Sequence, residues 1–172
     1  MKSRSSHIVK LVACITIILA GSLFARAATF SPEKNIIDNL SGDASFTTLM
    51  KALQAAGLME TLKGTGPFTV FAPNDAAFAR LPKGMLDDLL KPESKARLAS
   101  ILTYHVMPGK FTAAEVEKMK QLDTVNGDQL IFTVSGNIKA VDNAKVLQTD
   151  IACSNGLIHI IDTPVIPPTT EP

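Results

Sequence analysis

The side chains able to do chemistry here are few: His105, His159, Asp162, Cys153, and a corner written "GPFTVFAPNDAAFARLP" over residues 66–82. A strand that turns tightly into a helix is how phosphate cradles and nucleophile elbows are built. A cradle needs its glycines after the strand, so that N–H groups at the helix start can face an anion. Here Gly64 and Gly66 precede the strand, and Asp75 puts a negative charge where the anion would sit. The reading that remains is structural: Pro73 ends the strand, Asn74 caps the helix, Asp75 complements its dipole and Phe78 returns to the core.

His159 and Asp162 have the types of a base and its orienter. If residues 157–162 form a strand, positions three apart point to opposite faces and cannot meet locally. The sequence holds no H-E-x-x-H, no paired C-x-x-C and no G-x-S-x-G. Spacing leaves open a hydrolase in which His105 or His159 meets a distant serine or aspartate. The favoured expectation is that each histidine is partly buried and satisfied by hydrogen bonds, with no catalytic residue, metal or cofactor. Nothing basic stands beside Cys153, so it reads as a small buried hydrophobe, with an intermolecular disulfide dimer as the alternative to a monomer. Tyr104 is the one tyrosine and tryptophan is absent, which leaves no broad stacking platform for sugar or single-stranded nucleic acid. Asn39-Leu40-Ser41 fits a glycosylation sequon, a triplet common by chance.

These groups have to be positioned by an exported chain. Lys2, Arg4 and Lys10 precede an apolar run from Leu11 to Phe24, and Ala25-Arg26-Ala27 is a cleavage signal, so residues 1–27 read as a cleaved signal peptide. The run is too short to leave a stable membrane anchor. Cys14 is not a lipoprotein cysteine, because the apolar run continues past it. The leader takes four of the 17 basic residues and none of the 16 acidic ones, leaving a mature net charge of about −3. That excludes nucleic acid as the main partner. Cys153 is then the sole mature thiol, no internal disulfide is possible, and a packed core must supply the stability.

Helical signals fill the first half of the mature chain. Ser31-Pro32 reads as a cap and first turn leading to Ile36, Ile37 and Leu40. Ser45 caps a helix carrying Phe46, Leu49, Met50 and Leu53, which Gly57 ends. Leu98, Ile101 and Leu102 repeat the spacing after Pro92, and Thr112 caps a short charged helix through Lys120. Turn residues then punctuate strands at 130–134, 138–141, 144–149 and 157–161. Helices followed by a meander, with the early strand 68–71 joining the later ones, give an α+β fold. The proline-rich end reads as a flexible tail at 169–172.

Three separated segments resemble the fasciclin domain family: "GPFTVFAPNDAAFARLP" its first box, "ILTYHVMPGKFTAAEV" its central Tyr-His segment, and "DIACSNGLIHIIDTPVIPP" its closing box. The resemblance runs from about Asn35 to Pro168, and residues 28–168 form one domain on this reading. It implies a wedge of two β-sheets with several α-helices packed at one side, without cofactor, with Phe71 and Ile160 in the sheet core. It also implies a secreted protein, periplasmic or extracellular and bacterial in look, that adheres to an extracellular or cell-surface protein or polysaccharide and is not an enzyme. By position, Tyr104 and His105 match the segment linked to adhesion, and Asp150 and Ile151 match a pair implicated in integrin binding. All four also suit structural work, which is the preferred role here. A small apolar-ligand carrier, with a cavity between helices and sheet, is the alternative function.

Overall fold

A computed structural model describes residues 30–135 and 138–167; the leader at 1–27 and the tail at 169–172 lie outside them. Among the described residues the chain forms seven α-helices and seven strands. The helices are α1 (Ile36–Ser41), α2 (Thr47–Ala56), α3 (Met59–Lys63), α4 (Asp75–Phe78), α5 (Met85–Leu89), α6 (Lys95–Tyr104) and α7 (Ala113–Met119). The strands are β1 (Phe68–Pro73), β2 (Val106–Pro108), β3 (Gln121–Asp123), β4 (Gln129–Ser135), β5 (Ile138–Val141), β6 (Ala144–Cys153) and β7 (Gly156–Ile161). None of these helices is long and apolar enough to cross a membrane.

Local chemistry explains most boundaries. Gly57 ends α2 in the left-handed region that glycine tolerates, with φ of 78°. Thr112 and Glu115 close a reciprocal capping box on α7. Asn74 accepts from Ala77 N at 2.8 Å and so caps α4. Two caps differ from the sequence reading. Ser31-Pro32 lies in a turn, and α1 is capped by Asn35, which accepts from Asp38 N. Ser45 lies inside a single 3-10 turn capped by Asp43, so α2 starts at Thr47. In both places a second capping residue stands a few positions away and is the one whose side chain accepts a free amide of the first turn.

The strands join in the order β2-β1-β7-β6-β5-β4-β3. From β4 to β7 the chain is an antiparallel meander, as the turn residues suggest, whereas β1 lies parallel to β7 over six residue pairs, from Phe68↔Gly156 to Pro73↔Ile161. The wedge arises because this single strand order folds over on itself. In a flat sheet β1 and β4 would stand roughly 19 Å apart, yet the rings of Phe71 and Phe132 lie 5.8 Å apart. The outer strands also meet, with Val125 N donating to Val106 O at 2.8 Å just beyond β3. Bulges in β6 between Val146 and Ile151 provide the bend.

Side-chain alternation along β1 and β7 then serves two cores. Val70, Ala72, Ile158 and Ile160 face the helices, packing with Ile36, Leu40, Leu53, Leu98 and Leu102. Phe71 and Ile161 face inside the fold with Tyr104, Met107, Val116, Phe132 and Val141. Phe71 and Ile160 are thus both buried, on opposite faces of neighbouring strands.

The parallel ladder starts where two backbones nearly touch. A Cβ on Gly156 would lie 1.9 Å from Phe68 O, and one on Gly66 would lie 2.3 Å from Asn155 O. The Asn155 side chain locks this crossing, accepting from Ile36 N at 2.9 Å and donating to Leu62 O and Gly64 O at 2.8 and 2.9 Å. Gly156→Ala is therefore expected to cost about 4 kcal/mol or prevent folding. Gly84→Ala, with nothing within 4 Å of the new methyl and only a φ of 87° to resist it, should cost about 1 kcal/mol. Urea unfolding of the two variants makes the comparison, and equal costs would contradict the close approach.

Candidate functional site

Helix α6 and strand β2 deliver Tyr104 and His105 into the interior, where they are 2 % and 3 % exposed. The Tyr104 hydroxyl lies 2.9 Å from Asp142 Oδ2 and 3.0 Å from Gln129 O. Burial and the hydrogen bond to the Asp142 carboxylate push the phenol above its ordinary range. Asp142 occupies the tight β5–β6 turn with φ of 49°, and its other oxygen accepts from Ile131 N. His105 Nδ1 lies 2.8 Å from Ile101 O, and Val165 N donates to His105 Nε2 at 3.1 Å. A carbonyl can only accept and an amide can only donate, so the proton sits on Nδ1 and the ring is neutral. Desolvation lowers its pKa to about 4 despite the Ile101 hydrogen bond.

His159 on β7 holds the opposite tautomer by the same logic. Nε2 donates to Phe111 O at 3.0 Å and Nδ1 accepts from Asp150 N at 3.2 Å. Burial lowers its pKa, and its ring stacks on Phe71 with centroids 5.1 Å apart. Asp162 is not its partner: that carboxylate accepts from Lys145 N at 2.8 Å and pairs with Arg80 at 2.6 Å. Both ring nitrogens of each histidine are therefore spent on backbone, and neither reaches a serine or aspartate side chain among the described residues. This is the satisfied role the sequence favours, with burial more complete than "partly".

Asp150 and Ile151 divide their work. Ile151 is buried and packs in the helix-facing core. Asp150 is exposed, sits in the β6 bulge with φ of 60°, and accepts from Ala113 N at 2.8 Å, the first amide of α7. The same corner is tied to β1 through Thr69, whose hydroxyl donates to Gly109 O at 2.8 Å and accepts from Phe111 N at 2.9 Å. Thr69, His159 and Asp150, separated by up to 90 positions, thus fasten one loop and the start of one helix.

Cys153 is buried, its thiol held 3.2 Å from Asn39 Nδ2, and desolvation raises its pKa. Asn39 also donates to Ser31 O and Lys34 O and accepts from Ser31 N, so the sequon asparagine is committed to the interior. The corner at residues 72–78 is a double cap: Asn74 serves α4, and Asp75 accepts from Thr48 N at 2.7 Å, supplying α2 with the cap that its preceding residue, Phe46, cannot provide. Asp142, Thr69, Asn155 and the Asp75–Thr48 bond escape a reading of the sequence, because their partners lie 27 to 119 positions away and leave no local pattern.

Two gaps among the described residues are small. A gap lined by Phe71, Val116, Phe132 and Val146 encloses about 20 Å³, and one between Leu62, Phe68, Thr103 and Val125 about 30 Å³. Each has room for about one water, against several hundred Å³ in ordinary small-ligand sites. The ion pair Lys139–Glu117 lies at the first gap. An open depression of about 390 Å³ at the surface is lined by Phe30, Pro32 and residues 148–152. No group of three or more His, Cys, Asp or Glu among the described residues is arranged to hold a metal.

Comparison with known proteins matches this geometry. The fasciclin domain pattern covers residues 44–167, and the chain belongs to the fasciclin domain family. It is 44 % identical over 147 residues to protein sll1483 of Synechocystis sp., covering 86 % of this chain and 81 % of that protein. Immunogenic protein MPB70 of Mycobacterium bovis is 36 % identical over 133 residues, 74 % of this chain and 66 % of that protein. The transforming growth factor-beta-induced protein ig-h3 of Sus scrofa is 35 % identical over 88 % of this chain, which spans 22 % of that larger protein. In structure the chain is similar to a FAS1 domain pair from the insect cell adhesion molecule fasciclin I, with a TM-score of 0.70 at 19 % identity, over 77 % of this chain and 51 % of the other. That likeness establishes the fold.

Two outcomes follow from the buried groups. In the unfolded chain His105 titrates near 6.5 and in the folded chain near 4, so the unfolded state binds more protons between these values. Stability is full above pH 6.5 and falls by roughly 3 kcal/mol as pH drops to 4. His105→Gln should reduce the fall of the urea midpoint over that window, leaving the part due to His159, whose pKa burial also lowers, and an unchanged slope would contradict the assignment. Cys153 should resist a thiol reagent until denaturant is added, and the purified protein should run as a monomer on a non-reducing gel; rapid labelling or a reducible dimer would contradict the buried thiol.

Proposed function

We propose that this protein is an exported, non-enzymatic binding module that holds a cell-surface or matrix partner, protein or polysaccharide, through loops on a rigid scaffold. The observation that supports this reading most is the commitment of polar atoms. The ring nitrogens of His105 and His159 bind backbone, and the Tyr104 hydroxyl lies against Gln129 O and the Asp142 carboxylate, so the groups best suited to acid–base chemistry are already engaged. Kinship with domains of the insect cell adhesion molecule fasciclin I supports the choice of adhesion over other binding roles. The signal-like leader supports export to the periplasm or beyond.

Of the four candidate residues, Tyr104, His105 and Ile151 act as scaffold, and Asp150 is the one whose side chain is exposed to meet a partner. The open depression beside it gives a partner room to approach. The small interior gaps do not favour the carrier alternative.

Retention of the mature protein on cell-surface extract tests the reading. Asp150→Asn keeps an oxygen to accept from Ala113 N while losing the charge, and should weaken retention about fivefold with an unchanged melting temperature. Tyr104→Phe and His105→Gln should lose retention only as far as they lose stability. No retention of the wild type would sink the module reading, and full retention of Asp150→Asn would place recognition elsewhere on the surface.

A further inference from the structure

The order of strands has a mechanical consequence. The first strand among the described residues, β1, and the last, β7, are direct neighbours and parallel, paired through six residues from Phe68↔Gly156 to Pro73↔Ile161. The N-terminal segment enters β1 at its Phe68 end, and the C-terminal segment leaves β7 at its Ile161 end. These are opposite ends of one ladder. Tension between the termini therefore slides the two strands past each other and loads their hydrogen bonds together; an antiparallel pair pulled from its open end would instead yield one bond at a time.

We infer that the domain is a load-bearing link, in which the β1–β7 ladder is the mechanical clamp and Asn155 its stop. The stop lies where force from the N-terminal side arrives. Asn155 Nδ2 holds Leu62 O and Gly64 O, and Asn155 O accepts from Phe68 N at 3.0 Å, so the chain is gripped from residue 62 to the first clamp residue. Gly66 and Gly156 fit without side chains at the same crossing, so the grip is steric as well as polar. The stop also reaches the start of α1, since Ile36 N donates to Asn155 Oδ1 at 2.9 Å, so force from the N-terminal side meets Asn155 there as well as at the end of α3. On the other side, Val165 N on His105 and the Asp162–Arg80 pair hold the segment leaving β7. Both cores flank the ladder, so sliding also has to expose Val70, Phe71, Ala72, Ile158 and Ile160 to water. This deepens the adhesion reading, since a tether carries force, but it is measured without any partner.

Single-molecule pulling of the mature protein tests it, because forced unfolding reads the barrier along the direction of pull. Handles on the two termini load the ladder in shear. Handles on Lys145→Cys and Thr163→Cys pull the β6–β7 hairpin apart from its open end; Leu147→Cys with Thr163→Cys makes the same comparison should the first pair not fold. At equal loading rate the terminal geometry should need at least about twice the force of the hairpin geometry. Asn155→Ala should lower the terminal force and leave the hairpin force within error; should that variant not fold, the two pulling geometries alone decide. Equal or lower force through the termini would overturn the inference. Failure of the protein to bind any surface would leave the force result standing and remove only the adhesion reading.

Discussion

The close crossing of β1 over the β6–β7 turn is the constraint on which the rest depends. Two backbones approach so nearly that neither Gly66 nor Gly156 can carry a side chain. Asn155, between them in space, uses its amide on segments 91 to 119 positions away. Once that crossing is set, β1 can lie parallel in the middle of an otherwise antiparallel sheet. Its alternate residues then face the helices on one side and the interior of the folded-over sheet on the other.

A common pattern runs through the residues that first suggest chemistry. Asn155, His105, His159, Asp150 and Asp75 all direct side-chain polar atoms to the backbone of distant segments, and Asn39 spends its amide on the backbone just before α1. Buried backbone groups at loops and helix starts need partners, and a side chain from elsewhere in the fold meets that need while fixing the distance between elements. The strong motifs of the chain are therefore its joints. This explains how a sequence can look like an active site, with a strand-to-helix corner and a His followed by Asp, and still place none of those groups together.

Much of the architecture is legible in the residues themselves. The meander announces itself through Asp142-Asn143 and Asn155-Gly156, and the Thr112 box and Gly57 stop are local codes that the structure obeys. The strands β2 and β3 escape notice because each has three residues, too few for alternation to show, and because both depend on neighbours for their hydrogen bonds. β6 runs four residues past the expected Thr149 because a bulge at Asp150 breaks the pattern without ending the strand. The candidate pair Asp150-Ile151 could not be divided into an exposed cap and a buried core residue until the bulge was seen. The resemblance to fasciclin domains supplied the wedge; the residues alone supplied α+β.

The central claim is that the conspicuous polar residues serve the scaffold, and the two histidines state it most sharply. Nitrogen-15 NMR of the imidazole rings at pH 6 reads their protonation and tautomers directly. The account predicts two neutral rings of opposite kind, with the proton on Nδ1 in His105 and on Nε2 in His159. A charged ring, or one that exchanges tautomers and titrates near 6.5 like a solvated histidine, would contradict it.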